Sequence, residues 1–139
     1  MAGSIQIEVI TPREKLISQE AVCLTIPGSE GEMKVHPEHQ PLLTSLRPGR
    51  FVVHSESGDS LYYLAGGFAE ILGDRVILLA DECLTLDQID KESARADLES
   101  AEKAIEADKH KSIDELAGEF SARDRALARI ALLDGDAGK

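Results

Sequence analysis

Several groups of side chains have types and spacings that chemistry could use. His36 and His39 lie three apart, a spacing that could bring two metal ligands together. Pro37 lies between them, no cysteine is near, and no third or fourth ligand is evident, so both read as surface groups or partner contacts. Glu30 and Glu32 form a carboxylate pair, but no apolar cleft surrounds them in sequence to raise one pKa, as acid–base work requires. They fit a solvated acidic loop and, equally, a contact for a partner's arginine or lysine. Arg123, Arg125 and Arg129 make a basic cluster in an acidic chain, and the last two share a helix face. That cluster fits a solvated face, paired in part with Asp124 or Glu119, or a dock for an acidic partner. Cys23 and Cys83 stand alone in apolar contexts (VCLTI, ECLTL), which predicts two reduced, buried thiols and a reducing compartment. His54 alternates with Val53 and reads as a solvent-facing strand residue. GxSxG, P-loop and HExxH motifs are missing. The expectation is a noncatalytic protein without metal or cofactor.

The elements that must position these groups fall into two halves. All five prolines lie before residue 49, and residues 74–117 contain neither proline nor glycine. In the first half Ile5, Ile7 and Val9 alternate with Gln6, Glu8 and Ile10, the mark of a strand with one buried face. Residues 11–14 turn the chain, and residues 21–26, 51–55, 61–65, 68–72 and 75–80 read as further strands. Between them, residues 28–49 hold three prolines and three glycines and read as a rigid polar loop that suits recognition.

The second half changes period. Asp87 is the expected cap of a helix carrying Ala94, Leu98, Ala101 and Ile105 on one face and ending at His110 and Lys111. Ser112 and Glu115 form a capping box for a second helix, whose apolar stripe is Ile113, Leu116, Phe120, Leu127 and Ile130. Residues 134–139 read as a frayed tail. The expected fold is α+β by segregation: an N-terminal antiparallel β-sandwich over residues 1–86, then a C-terminal antiparallel α-helical hairpin over residues 87–139. The hairpin stripes are rich in alanine and bury little area, so the hairpin should depend on docking and be able to move.

Composition narrows the partners. A formal charge of −11 opposes binding to nucleic acid or to an anionic membrane surface. Aromatic residues make up 4 % and tryptophan is absent, against an aromatic ligand pocket or base-stacking platform. The N-terminus lacks the basic and apolar regions of a signal peptide, and no apolar run reaches the ~20 residues of a membrane span. Membrane association is therefore expected only through a complex.

Three blocks in order carry a resemblance: GSEGEMKVHPEHQPLLTSLRPG at residues 28–49, LAGGFAEI at 64–71 and VILLADECLTLDQID at 76–90. Together they resemble the epsilon subunit of F-type ATP synthases, called delta in mitochondria. The resemblance implies a central-stalk rotor subunit with no catalytic residues of its own. Its sandwich would bind the gamma subunit and the c-ring, with Glu32 and His39 facing the ring. Its helices would fold onto the sandwich or extend toward the alpha and beta subunits, where Arg123, Arg125 and Arg129 would contact acidic segments and inhibit ATP hydrolysis. The implied location is the cytoplasmic face of a bacterial inner membrane, or the stromal face of a thylakoid. Two features depart from the family pattern: Lys34 and Glu38 stand where glycines are common. A third concerns members that bind ATP on the hairpin. They resemble Ile/Leu-Asp-x-x-Arg-Ala, whereas here Ile89-Asp90 leads to Ser93-Ala94, with Arg95 two residues on. Nucleotide sensing by the hairpin is the alternative function.

Overall fold

Alternating apolar residues in the first half build strands that share one buried layer. A computed structural model describes residues 3–135. Ten strands come first: β1 (Ile5–Ile10), β2 (Lys15–Ala21), β3 (Cys23–Gly28), β4 (Gly31–Val35), β5 (His39–Ser45), β6 (Gly49–Ser55), β7 (Gly58–Ala65), β8 (Phe68–Gly73), β9 (Arg75–Leu79) and β10 (Glu82–Thr85). They form two five-stranded sheets, ordered β2-β1-β9-β8-β5 and β10-β7-β6-β3-β4. Ile5, Ile7, Val9, Ile71, Val76 and Leu78 from the first sheet meet Leu24, Ile26, Phe51, Val53 and Leu64 from the second, all fully buried. Burial in β1 and β8 follows the two-residue period that the sequence predicts.

The sandwich is antiparallel with one exception. β1 and β9 run parallel, Ile7 beside Val76 and Val9 beside Leu78. The sequence pattern carries no sign of this, because both partners are buried core strands whichever way they run.

Residues 28–49 are more ordered than a loop. They contain β4, which pairs with β3, and β5, which pairs with β8. Each is the edge strand of a different sheet, so the segment straps the two edges together. Edge position is where Pro41 is tolerated, since its missing N–H costs no ladder bond there. The strap closes through the Ser29 N–H bond to the Ser45 carbonyl and the Gly28–Leu46 bridge. β2 and β10 also lie at edges and also lack a readable pattern.

The Gly66–Gly67 pair makes a required close approach. Both residues have positive φ, and a Cβ on Gly67 would lie 1.6 Å from the Leu79 carbonyl oxygen. Only glycine fits this bend.

A 3-10 turn (Leu86–Gln88) leads to α1 (Lys91–Ala107) and α2 (Ala117–Asp134). The cap of α1 is Asp90, whose carboxylate accepts from the Ser93 N–H, rather than Asp87. Asp87 instead accepts from the Thr85 hydroxyl. The Ser112–Glu115 capping box forms in both directions, although regular helix begins at Ala117. α1 carries Ala94 and Ala101 inward, as its stripe predicts. The stripe of α2 differs from expectation: Leu116, Ala126 and Leu132 are buried, whereas Ile113 is 77 % and Leu127 45 % exposed. So many alanines surround the larger residues that the sequence leaves the phase of this helix open. Residues 136–139 of the expected tail lie outside the described residues.

Candidate functional site

Glu32 sits on β4 of the strap, opposite Pro27. Arg50 reaches it from β6 as a fork, Nε donating at 3.1 Å and Nη2 at 3.0 Å to the two carboxylate oxygens. The carboxylate is thus held in one orientation while remaining partly exposed. His39 begins β5, and its Nδ1–H donates to the Gln40 carbonyl at 2.7 Å. Between them, Glu38 adopts φ 66°, a left-handed conformation that costs most residues about 1–2 kcal/mol. Glu30, Lys34 and His36 are exposed. Among the described residues no group of three or more His, Cys, Asp or Glu is placed to hold a metal ion.

The structure brings together a triad-like line that the sequence hides. The Thr25 hydroxyl donates to His54 Nε2 at 2.9 Å, and His54 Nδ1–H donates to Asp59 at 3.0 Å. His54 is therefore a half-buried bridge, contrary to the solvent-facing expectation. Thr25 is 1 % exposed, so its hydroxyl offers no approach to a substrate carbonyl. The line fastens β3 to β6 and to the start of β7; it is structural.

The three arginines of α2 divide by angle. Arg125 and Arg129 are ~40° apart around the helix, while Arg123 is on the opposite side. Arg125 Nη1 donates to Glu82 at 2.8 Å and Nη2 to Asp81 at 3.1 Å. Arg129 Nη2 donates to Asp97 of α1 at 2.9 Å, Nη1 lies 3.5 Å from the Tyr63 hydroxyl, and its guanidinium stands 5.6 Å from the Tyr63 ring centre. The Tyr63 hydroxyl donates to Glu82 at 3.2 Å. Burial, aided by the Glu82 charge, pushes the Tyr63 phenol up to about 12. Partial burial pulls the Arg125 guanidinium down, but the bonds to Glu82 and Asp81 outweigh it and hold it above its usual value. Arg123 meets only Asp124, at 3.4 Å, and the Phe120 ring, and its buried Nε has no acceptor among the described residues.

Beneath these arginines the outer face of the second sheet is apolar. Tyr63, Ala65, Ile89 and Leu132 are buried together, with Leu61, Leu84, Leu86, Ala128 and Leu133 packed against them. The outer face of the first sheet has no such roof among the described residues. Leu43, Phe68 and Leu79 are 69 %, 54 % and 51 % exposed, and Ile77 lies half-buried among them. Cys23 and Cys83 are free and half-buried rather than fully buried, and burial pushes the Cys83 thiol up to about 11.

The sequence singles out the arginines, Glu32 and His39 as candidates. It passes over Arg50, Tyr63, Asp81, Glu82 and Asp97, which lie 18 to 66 residues from their partners. The one available signal was the GG bend: a Cβ on Gly66 would fall 2.2 Å from Asp81 Oδ2 and 2.9 Å from Arg125 Nη2.

Comparison with known proteins gives consistent matches. Residues 4–85 match the family described as the ATP synthase delta/epsilon chain, beta-sandwich domain. The ATP synthase epsilon chain of Desulforapulum autotrophicum is 37 % identical over 135 residues, covering 96 % of this chain and 98 % of its own. That of Rhodobacter capsulatus is 35 % identical over 127 residues, covering 91 % and 96 %. Among solved structures, a chain in the Euglena gracilis mitochondrial ATP synthase, OSCP/F1/c-ring in rotational state 1, superposes with a TM-score of 0.81 at 26 % identity, covering 94 % of this chain and 81 % of that one.

Proposed function

The chain belongs to the delta/epsilon family of ATP synthase subunits, and we propose that it works there as a noncatalytic rotor subunit of the central stalk. It couples rotation of the c-ring to the catalytic head of a proton- or ion-translocating enzyme and restrains ATP hydrolysis through its helices. The observation that carries this reading is the bare apolar patch formed by Leu43, Phe68, Ile77 and Leu79, on a sandwich whose other outer face is filled by its own hairpin. Contiguous exposed apolar surface marks a protein contact, and the gamma subunit is the partner assigned to it. The similarity to a chain within an F1/c-ring assembly supports a stalk position.

In this proposal each region has its own role. Residues 1–86 are the binding module, and residues 87–139 are the regulator. The strap presents Glu32, preset by Arg50, and His39 to the polar loops of the c-ring; charge pairs there fix register. In an extended state Arg123, Arg125 and Arg129 meet acidic segments of the alpha and beta subunits. Contact with the membrane, at the cytoplasmic face of a bacterial inner membrane or the stromal face of a thylakoid, is made through the complex.

The alternative, ATP sensing by the hairpin, has a cleft between α1 and α2 to draw on, lined by Asp97, Glu119, Arg125 and Arg129. Both arginines there are already bonded to carboxylates, which favours the rotor reading. Co-purification with a gamma subunit tests the stalk assignment. Removing residues 87–139 should leave assembly intact and raise ATPase activity of the head. Unchanged hydrolysis would remove the inhibitory role and leave coupling standing.

A further inference from the structure

Six side chains from the sandwich and both helices form one unbroken sequence of polar contacts: Asp81, Arg125, Glu82, Tyr63, Arg129 and Asp97. Two sit at the far edge of the second sheet, one on its outer face, two on α2 and one on α1. The head of Arg125 rests against Gly66, in space that any side chain at residue 66 would occupy. Lys91 adds a pair with Asp134, closing the start of α1 on the end of α2. Under this network lies an apolar contact of nine residues, in which Tyr63, Ala65, Ile89 and Leu132 are buried and Leu61, Leu84, Leu86, Ala128 and Leu133 pack against them.

The charges of both arginines are therefore met inside the chain, Arg125 by two carboxylates and Arg129 by one. A triphosphate entering the cleft would have to break these bonds and sit among Asp81, Glu82, Asp97 and Glu119. The residues do not fit it. The position where ATP-binding relatives carry arginine holds the exposed Ser93, whose N–H is committed to the Asp90 cap.

We infer that Asp81, Glu82 and Asp97 act as a built-in substitute for an anionic ligand, latching the hairpin onto the sandwich, and that the latch opens by carboxylate exchange. An acidic segment of a partner competes for Arg125 and Arg129. When it wins, the same two side chains that held the hairpin down hold it to the partner. Folding of the hairpin then needs no nucleotide and is weakened by salt, because the pairs are partly exposed. The inference deepens the inhibitory reading and rests on it for its consequence, but the latch itself is a property of the isolated chain.

The test is amide hydrogen exchange on the isolated full-length chain, read by mass spectrometry. Raising sodium chloride to roughly 1 M, where the screening length falls to ~3 Å, should speed exchange in α1 and α2 about tenfold, as loss of three partly exposed pairs allows. Peptides from β1 to β9 should stay protected, which also reports that the sandwich is folded. An oligoglutamate peptide at low salt should act like salt, while millimolar ATP at matched ionic strength should change nothing. Glu82→Gln and, separately, Asp97→Asn on the exposed side of α1 should each remove part of the salt effect. Protection of α1 and α2 by ATP, or exchange insensitive to salt and to both substitutions, would overturn the latch. Failure of the inhibitory reading would show up elsewhere, as unchanged hydrolysis in the assembled complex with the exchange results intact.

Discussion

The outer face of the second sheet and the outer face of the first both present apolar side chains away from the core, yet the chain roofs only one of them. Over the second sheet, α2 lays Leu132 and Ala128 on Tyr63 and Ala65, and ion pairs at the margin fix its position. Over the first, Leu43, Phe68, Ile77 and Leu79 stay open, beside a polar half where Glu8 is bonded to Lys15 and Arg75. The difference teaches how the two contacts are meant to last. A roof of two leucines and an alanine, held at its margin by partly exposed charges, is removable. A bare patch of leucine and phenylalanine is the kind of surface that a lasting protein contact covers.

The largest test of this contrast is Tyr63→Ala. It empties the centre of the covered face and should cost about 3 kcal/mol or more in denaturant unfolding, the range for deleting a buried aromatic ring. On the bare face Phe68→Asp should do the reverse: stability within ~0.5 kcal/mol of the parent, but gamma binding weakened by ~2–4 kcal/mol, as loss of a central apolar anchor predicts. Titration calorimetry with a gamma subunit reads the second effect, and equal gamma affinity in both proteins would erase the contrast. Glu38→Gly, on the strap that joins the two sheet edges, should raise the unfolding free energy by roughly 0.5–1 kcal/mol in denaturant titration by relieving the φ of 66°.

The smallest effect separates the faces by pH. On the covered side, the Tyr63 phenol has a folded value raised above the ordinary 10.0, and between the sheets the Cys83 thiol is raised above 9.0. Their contribution to stability is complete below about pH 9 and is lost as pH climbs toward 11 and 12. On the bare side, bonds from Lys15 and then Arg75 hold the Glu8 carboxyl below its ordinary 4.5. Its contribution is present above that value and is lost as pH falls through the lowered one. Glu8→Gln should flatten the acid limb of a stability–pH curve and leave the alkaline limb alone. Tyr63→Phe should do the opposite.

The sequence was most legible where strands are central and half-buried. β1, β6, β7, β8 and β9 show apolar positions that survive as core. The edge strands β2, β4, β5 and β10 pair on one side only, and the burial of all but the short β4 carries no regular alternation. Proline and glycine made residues 28–49 look like a loop when they mark two edges and the crossing between them. In α2, helical spacing correctly put Arg125 and Arg129 on one face, but the apolar phase failed at Ile113 and Leu127. The latch was invisible for a different reason. Asp81 and Glu82 precede Arg125 by more than forty residues, and nothing local says that a carboxylate on β10 will meet a guanidinium on α2.

The parallel pairing of β1 with β9 sets a timetable for synthesis. β1 lies inside its sheet, with β2 on one side and β9 on the other. While the chain leaves the ribosome, β2 soon covers one edge of β1, but the other stays unpaired until Leu79 has emerged. For several seconds at ordinary elongation rates, the strand that carries Ile5, Ile7 and Val9 has one edge without its ladder partner. A chain built this way closes late and all at once. Its first strand is therefore the segment that a nascent-chain chaperone would meet for longest.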